Sequence, residues 1–386
     1  MALDTDTRRI PAMATIRDIG TTRTLPAYYY TDPAVLAIER EALFYTTWQY
    51  ACHVSALSGP GDYVTLSIFD QDIVVIRGQD GEIRAFYNVC AHRGHQLVKG
   101  TGTAGRLVCP YHAWTYQLDG QLIGVRRGNH TTPVNRSEIC LTQVRVDRLL
   151  DFVFVNLDPQ AEPLSSYAAG LAEEIEAAVP GVRDFVPTSN WRMFDDPMSC
   201  NWKALVDNFL ECYHCETAHP TFCDMFDCTG IRHTFNRNHM LQHLPTANKS
   251  DTAAYRIDLD RHVLDGNFWF LFPNTLIGSL PGEPSVNISR IVPYGPEQCL
   301  RQSSLFVREG ADQEHLSARD AFGAQKVGAE DRALVESVQR GMRQKGFNQG
   351  LYIIDPEEET FTEEGVRFFH GLYANALEER IAAETR

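Results

Sequence analysis

Two short pairs of cysteine and histidine lie near the ends of the segment "NVCAHRGHQLVKGTGTAGRLVCPYHAW" (88–114). The first pair is Cys90-x-His92 and the second is Cys109-x-x-His112. Each pair offers one thiolate and one imidazole. The glycine and proline residues around them permit tight turns, in which the backbone can approach a compact inorganic centre. The segment therefore predicts a site where two sulfur and two nitrogen atoms bind metal.

The order of these four residues distinguishes two kinds of metal site. A zinc site of the Cys₂His₂ type usually keeps its two cysteines together and places both histidines later in the chain. Here each cysteine is instead followed closely by a histidine. That order is typical of a Rieske [2Fe–2S] cluster, in which one iron takes two cysteines and the other takes two histidines. The pattern favours this electron relay, with zinc as the alternative.

A second set of possible metal ligands occurs in "NWKALVDNFLECYHCETAHP" (201–220). His214 and His219 are separated by a rotation of about 140° on a regular helix, so both can reach one metal only if the helix ends or is deformed between them. Pro220 makes such an end plausible. Two histidines and a carboxylate would give the facial triad of non-haem Fe(II) oxygenases. Two surface histidines on a helix are the alternative.

The spacing alone does not identify the carboxylate of this triad. Glu211 lies three residues before His214 and is a candidate ligand or a hydrogen-bond partner of one histidine. Asp207 lies a turn earlier and is expected to be a solvated helix residue or a cap. Many acidic residues later in the chain also qualify, so the third ligand stays open on these grounds.

The elements that position these residues fall into two regions with different residue patterns. The first spans roughly Tyr50 to Pro159, where short alternating runs rich in Val, Ile, Phe and Tyr are separated by turn signals such as "QDGE" (79–82). It predicts an all-β module that carries both Cys/His pairs. The second region combines segments of helical periodicity with another alternating segment. We expect helices at 164–179, 202–219, 329–344 and 363–384, and a second sheet at 229–307.

These two patterns predict that the chain of 386 residues has an α+β fold. An N-terminal segment, 1–48, is expected to pack on the catalytic domain. The β module then occupies 49–160 and the catalytic domain occupies 161–386.

The composition narrows the possible partners and the compartment. The net charge of −15 argues against nucleic acid and against anionic membranes, since both require a basic face. The sequence has no apolar run long enough to span a membrane, and its N-terminus is polar and lacks a secretory signal. A cytoplasmic enzyme is expected. Its other cysteines should then be reduced, and most should act as small buried apolar residues.

With "CAHRGH…CPYHAW" and "NWK…DNFLECYHC…AHP" together, the chain resembles the oxygenase component of Rieske non-haem iron oxygenases over nearly its whole length. It looks most similar to the branch that acts on quaternary ammonium compounds, which includes carnitine monooxygenase and its glycine-betaine and proline-betaine relatives. The resemblance implies a Rieske domain joined to a helix-grip catalytic domain. It also places the third iron ligand in "AEDRALVESVQRGM" (329–342), at Asp331, with Glu330 as the neighbouring alternative.

The resemblance further implies how electrons travel. In this family the subunits form a head-to-tail trimer, and the cluster of one subunit reduces the iron of its neighbour across a bridging acid. Glu211 matches that acid by position, and a glutamate there is similar to the quaternary-ammonium branch, whereas ring-hydroxylating relatives generally have aspartate. Electrons would come from NADH or NADPH through a separate flavin and iron–sulfur reductase, because this chain lacks a dinucleotide-binding GxGxxG in a strand–helix setting.

The implied reaction uses O₂ to hydroxylate a C–H bond beside the quaternary nitrogen of a carnitine-type or betaine-type compound, which cleaves the C–N bond or removes an N-methyl group. Aromatic faces would hold such a cation, and Tyr213, Phe268, Trp269 and Phe270 are the candidates. Strand alternation would place Phe268 and Phe270 on one face and Trp269 on the other. The alternative function is that of an aromatic ring-hydroxylating or O/N-demethylating Rieske oxygenase, and the alternative structural role of these rings is core packing.

Overall fold

The structure is a computed structural model that describes residues 22–126, 134–188, 196–260, 263–354 and 362–384. Residues 1–21 of the predicted N-terminal segment lie outside the described residues. Within the described ranges, antiparallel sheets and helices alternate along the chain, and the expected α+β class is confirmed.

The strands are β1 Gln49–His53, β2 Asp62–Ile68, β3 Gln71–Arg77, β4 Ile83–Tyr87, β5 Thr101–Thr103, β6 Leu107–Val108, β7 Thr115–Tyr116, β8 Leu122–Gly124, β9 Gln143–Leu149, β10 Phe152–Asn156, β11 Phe185–Pro187, β12 Arg232–Phe235, β13 His239–Leu244, β14 Gly266–Leu271, β15 Thr275–Ser279, β16 Ser285–Gly295 and β17 Gln298–Arg308. The α-helices are α1 Pro33–Glu39, α2 Leu164–Tyr167, α3 Leu171–Ala178, α4 Trp202–Phe209, α5 Cys215–Ala218, α6 Pro220–Cys223, α7 Gln313–Asp320, α8 Gly328–Met342 and α9 Glu364–Glu384.

The first ten strands build the β module. Seven of them form one sheet in the order β1-β10-β9-β4-β3-β2-β5, and β6, β7 and β8 form a small separate sheet. The predicted turn at 79–82 joins β3 to β4, and Gly81 within it has a φ of 84°, which favours glycine. The small sheet carries the second Cys/His pair between β6 and β7, so the short strands serve to present a loop.

The catalytic domain is built on a second antiparallel sheet with the order β11-β17-β16-β15-β14-β13-β12. Helices α4 and α8 contact one another, and α4 also packs on β16 and β17. The segment that follows α4 and the first turn of α8 therefore meet above this sheet. The helices expected at 329–344 and 363–384 are present as α8 and α9.

The chain before the β module lies against the catalytic domain. Glu39, at the end of α1, is fully buried beside Lys203 of α4, whose Nζ donates to Glu39 Oε1 at 2.5 Å. The same carboxylate accepts from Trp202 Nε1 at 2.8 Å and from Tyr373 Oη at 2.6 Å. This cluster joins α1, α4 and α9 in the core.

Two predicted helices are shorter than expected. The helix expected at 164–179 is divided into α2 and α3, because Gly170 between them adopts a φ of 90°. The helix expected at 202–219 ends at Phe209, and the chain resumes helical geometry only in the single turn of α5. The required break near the two histidines is therefore present, although it begins earlier than Pro220.

The expectation that the remaining cysteines are reduced is wrong for one pair, because Cys212 and Cys215 form a disulfide. Both side chains are buried and close to one another in the turn before α5, a geometry that brings the two sulfur atoms together. Asp207 was expected to be solvated or a cap, but it accepts a hydrogen bond from Tyr30 Oη at 2.6 Å. Its Oδ1 also lies 3.1 Å from Nε2 of His370 on α9.

No helix among the described residues is both long and apolar enough to cross a lipid bilayer.

Candidate functional site: two metal centres in one chain

The two Cys/His pairs lie at the tips of two loops that face each other. Backbone hydrogen bonds close both loops: Cys90 N donates to His95 O and Cys109 N donates to Trp114 O, each at 2.8 Å. The thiols of both cysteines are buried, with 2% of each residue exposed. The hydroxyl of Tyr116 lies 3.3 Å from Cys90 Sγ and accepts from the Ala91 amide at 3.1 Å. The sulfur side of the site is therefore interior.

The histidine side of this site reaches the surface. The rings of His92 and His112 lie 4.7 Å apart between centroids, and His92 stacks on Trp114 at 4.8 Å. Among the described residues, the Nδ1 atoms of both histidines are buried and have no hydrogen-bond partner. A buried nitrogen without a partner is costly unless it binds something. Two such nitrogens beside two buried thiols fit a [2Fe–2S] cluster.

A second centre forms where the loop after α4 meets the first turn of α8. The structure brings His214, His219 and Asp331 together, with one possible ligand atom from each within 4.8 Å of the others. Asp331 Oδ1 lies 2.9 Å from His219 Nε2 and 3.7 Å from His214 Nε2. Both Nε2 atoms therefore face one carboxylate, which is the donor set of a facial triad.

The electrostatics of this centre favour a cation. Burial lowers the pKa of His214, but hydrogen bonds with Asp331 and Glu211 outweigh it and raise that pKa to about 10. The pKa of His219 is raised by Asp331 and Glu330, again against burial. Burial also disfavours the charged form of Asp331, yet both histidines together hold its pKa well below the usual range. The protonated histidines thus supply beside Asp331 the positive charge that a bound metal would supply.

Each histidine also contacts a second carboxylate through Nδ1, the ring nitrogen other than the one that faces Asp331. Glu211 Oε1 lies 2.6 Å from His214 Nδ1, and Glu211 Oε2 accepts from the His214 amide at 3.2 Å. Glu330 Oε2 lies 2.7 Å from His219 Nδ1. Carboxylates at Nδ1 hold a proton there, so Nε2 is the nitrogen that each histidine would offer to a metal once the metal displaces the proton on Nε2. Glu330 and Asp331 are adjacent in sequence but contact different nitrogens of one ring.

The centre opens into a cavity of about 130 Å³ between α4, the sheet and the π-helical turn Ala321–Val327. Its wall carries four phenylalanine rings, from Phe209, Phe222, Phe268 and Phe322, and one charged side chain from the sheet, Arg301. The Phe268 ring lies 6.0 Å from that of Phe209 and 6.1 Å from that of Phe222, between centroids. The cavity therefore joins a metal-binding corner to an aromatic wall.

Comparison with known families agrees with both centres. Residues 47–135 match the Rieske [2Fe-2S] domain, and residues 182–379 match the ring hydroxylating alpha subunit (catalytic domain). The carnitine monooxygenase oxygenase subunit of Escherichia coli (strain K12) is 34% identical over 363 residues, which are 92% of this chain and 94% of that protein. The chain belongs to the Rieske non-haem iron oxygenases. Its cofactors are therefore a Rieske [2Fe–2S] cluster and mononuclear iron.

Other Rieske oxygenases also match over most of this chain. The chloroplastic choline monooxygenase of Beta vulgaris is 28% identical over 357 residues, covering 90% of this chain and 75% of that protein. The crystal structure of a quaternary ammonium Rieske monooxygenase in complex with its substrate L-carnitine superposes with a TM-score of 0.82 at 31% identity. That superposition covers 95% of this chain and 98% of the other.

The predicted substrate residues of this Rieske oxygenase lie in three environments: the cavity wall, the core and the surface. Phe268 lines the cavity. Phe270 is fully buried and packs on Phe369 at 5.6 Å between ring centroids, and Trp269 is fully buried on the opposite face of the sheet. Tyr213 is 48% exposed and is not one of the described residues that line the cavity. The predicted alternation of the strand holds, but it leaves only Phe268 at the site.

Sequence reasoning missed the other members of the cavity wall of this Rieske oxygenase. Phe322 lies in a helical turn whose sequence carries no ligand motif, and Arg301 lies in an alternating strand, "QCLRQSSLFVR" (298–308), that reads as ordinary sheet. Of these two residues, only Arg301 had a sequence signal that could have identified it. A charged residue at an inward position of a covered strand is uncommon and is therefore a candidate for a functional role.

Proposed function

We propose that this Rieske oxygenase is the oxygenase component of a two-component monooxygenase acting on a quaternary ammonium compound of the carnitine or betaine type. The observation that carries the proposal is the cavity, which places four phenylalanine rings beside the His214–His219–Asp331 centre. A trimethylammonium group cannot donate hydrogen bonds and is held best by aromatic faces. The substrates named for the related carnitine and choline monooxygenases support the same class.

We assign the ligands of each metal by the geometry of their nitrogen, sulfur and oxygen atoms. Cys90, Cys109, His92 and His112 would hold the cluster, with both histidines binding through Nδ1. The centre of His214, His219 and Asp331 would hold the iron through Nε2, Nε2 and a carboxylate oxygen. The chemistry supplied by the bound groups is O₂ activation at ferrous iron with electrons relayed through the cluster.

The surrounding residues position the substrate and exclude water. Phe268 and Phe222 form a wall that holds the ammonium end and keeps its neighbouring C–H bond at the metal corner. Replacing that hydrogen by hydroxyl consumes one O₂, two electrons and two protons and releases one water. The product is a carbinolamine whose C–N bond breaks, because the nitrogen leaves as a tertiary amine while the hydroxyl loses its proton and becomes an aldehyde.

Electrons are proposed to enter the iron site from a neighbouring subunit through Glu211. The supporting observations are that Glu211 contacts His214 Nδ1 at 2.6 Å and that the histidine side of the cluster site lies near the surface, beside exposed Tyr111. Both features suit contact between separate chains, and we propose the head-to-tail homotrimer of the family. A separate flavin and iron–sulfur reductase would supply electrons from NADH or NADPH, and we propose that the system is cytoplasmic.

A product assay tests the function. Iron-loaded protein, a surrogate reductase and NADH are given carnitine, betaines and choline beside a set of aromatic acids and ethers. The expected result is release of amine and aldehyde from a quaternary compound, with O₂ uptake in equal amount. Hydroxylated or O-demethylated aromatic products without amine release would contradict the proposal and would transfer the enzyme to the ring-hydroxylating or O/N-demethylating class.

A further inference from the structure

Arg301 of β17 places a positive charge in the wall of the iron cavity. The side chain lines the cavity together with Phe268 of β14 and Gln242 of β13, and Asp331 of α8 lines the same cavity. A permanent cation is unexpected in a cavity whose substrate is itself a quaternary cation, because like charges at close range repel strongly in a low-dielectric site. The charge therefore requires an explanation that the ammonium end of the substrate does not give.

The hydrogen bonds of Arg301 leave most of its donors available. In the described part of the chain, its Nε donates to Ser289 Oγ at 3.2 Å, and no carboxylate lies within ion-pair distance of the guanidinium. By contrast, Arg290 on the adjacent strand donates through Nη2 to Gln302 Oε1 at 2.8 Å. A guanidinium carries its donors in a planar fork that matches a carboxylate. Arg301 presents that fork without a matching anion among the described residues.

The charge of Arg301 persists in the cavity. Burial lowers its pKa to about 10, and the attraction of Asp331 opposes this change, so the group stays protonated at neutral pH. Asp331 does not serve as its counter-ion, because both histidines face that carboxylate and it is assigned to iron. Ferrous iron would add further positive charge. Glu211 and Glu330 also lie at this centre, but they contact His214 and His219. Among the described residues, no carboxylate of the cavity wall is therefore left to pair with Arg301.

We infer that Arg301 binds a carboxylate of the substrate, so that the enzyme selects zwitterions carrying both a quaternary ammonium and a carboxylate. This inference rests on the proposed function and narrows its substrate class. The two ends of the zwitterion would contact different walls: the phenylalanine rings hold the ammonium, and Arg301 holds the carboxylate. An amino alcohol of the choline type supplies no partner for Arg301 and leaves a buried charge uncompensated, which is unfavourable.

The decisive comparison uses γ-butyrobetaine and its methyl ester, which share the ammonium and chain but differ in the negative charge. Binding is measured by calorimetry on the iron-loaded full-length protein without O₂, which prevents turnover. The wild-type protein should bind the acid roughly tenfold to a hundredfold more tightly than the ester, as expected for a charged hydrogen bond. This comparison requires no variant, so it stands even where a substitution perturbs folding.

Variants then assign the preference to Arg301. Arg301→Gln should weaken binding of the acid by roughly tenfold to a hundredfold and change binding of the ester by less than about threefold. Arg301→Lys should recover part of the preference, because it restores the charge but not the fork. Arg308→Gln, an exposed arginine at the end of the same strand, is the matched control and should bind like the wild type. Iron content and the cluster spectrum report on folding.

The outcomes separate this inference from the function on which it rests. Equal binding of acid and ester by the wild type, or equal loss of both in Arg301→Gln, overturns the role of Arg301, while amine release in the product assay would leave the proposed function intact. Binding of neither quaternary compound, with turnover of aromatic substrates, overturns both. Binding of choline as tight as that of the acid also contradicts the inference.

Discussion

Two adjacent acids on α8, Glu330 and Asp331, contact opposite nitrogens of the same imidazole. Asp331 faces Nε2 of His219 at 2.9 Å, and Glu330 faces its Nδ1 at 2.7 Å. His214 also faces Asp331, because its Nε2 lies 3.7 Å from Asp331 Oδ1. These contacts support the proposal that Asp331 binds the metal and that Glu330 orients the ring, although the sequence offers two neighbouring carboxylates of similar chemistry.

We expect Asp331→Ala to lose the mononuclear iron and to keep the visible spectrum of the cluster. Glu330→Ala should retain the site but bind iron roughly tenfold to a hundredfold more weakly, because partners at the outer nitrogen support the ligand without binding the metal. Iron per chain, measured by mass spectrometry after dialysis against graded chelator, distinguishes the two. The ligand assignment would be reversed by full iron in Asp331→Ala together with complete loss in Glu330→Ala.

At the scale of elements, a buried ion pair between Lys203 and Glu39 fixes α4, the helix that ends before the loop carrying His214. Lys203 and Glu39 have no exposed side-chain surface, and the Lys203 ammonium lies 5.2 Å from the centroids of the Tyr30 and Trp202 rings. Burial lowers the pKa of Lys203, and Glu39 counteracts this effect. The pair therefore fixes α4 against α1, and the loop that carries His214 begins where α4 ends.

Glu39→Gln should destabilise the fold by roughly 3–5 kcal/mol, because it leaves Lys203 buried without its counter-ion. The urea midpoint, followed by tryptophan fluorescence, should fall accordingly. The double variant Glu39→Gln/Lys203→Met should recover much of the loss, since it removes the unpaired charge. Asp80→Asn removes one partner of the solvent-exposed pair with Arg84 and serves as the control, with an expected change below about 1 kcal/mol. An unchanged midpoint in Glu39→Gln would contradict the anchoring role.

Local patterns predicted the elements that depend on neighbouring residues. The turn at 79–82 and the amphipathic helix α8 follow from residue types at short spacing, and both are present. The hydrogen bond of Asp207 to Tyr30 was not predictable, because it joins residues 177 positions apart. The division of Phe268, Trp269 and Phe270 between cavity and core likewise depends on which elements cover each side of the sheet. Periodicity predicts which residues of a strand share a face, but it does not predict which helices or strands pack on that face.

At the scale of the whole molecule, the proposed electron path joins the cluster site of one chain to the iron site of another. The histidine side of the cluster site lies near the surface, and Glu211 supports the iron site from behind. A head-to-tail arrangement would bring these two features of neighbouring subunits together. Electron transfer would then be a property of the assembly.

Mixed oligomers test the bridge and the assembly together. Cys90→Ser subunits should lack the cluster but keep Glu211 and the iron site, whereas Glu211→Gln subunits should keep the cluster and lose the bridge. Each alone should be nearly inactive, and co-expressed oligomers containing both should regain product formation, because one subunit reduces the iron of the other. No recovery would contradict transfer between subunits. Glu216→Gln, which replaces an exposed acid in α5, is the control and should be active without a partner.

The two halves of the iron site come from distant parts of the sequence: His219 and Asp331 are 112 positions apart and lie 2.9 Å from one another. Any ion that binds both closes a long loop, so its binding free energy also opposes local unfolding of α8. The linkage is reciprocal, since a change that frays the first turn of α8 must lower the affinity for iron by the same free energy. Iron availability in the cell would therefore set how much of this protein survives proteolysis, as well as how much of it is active.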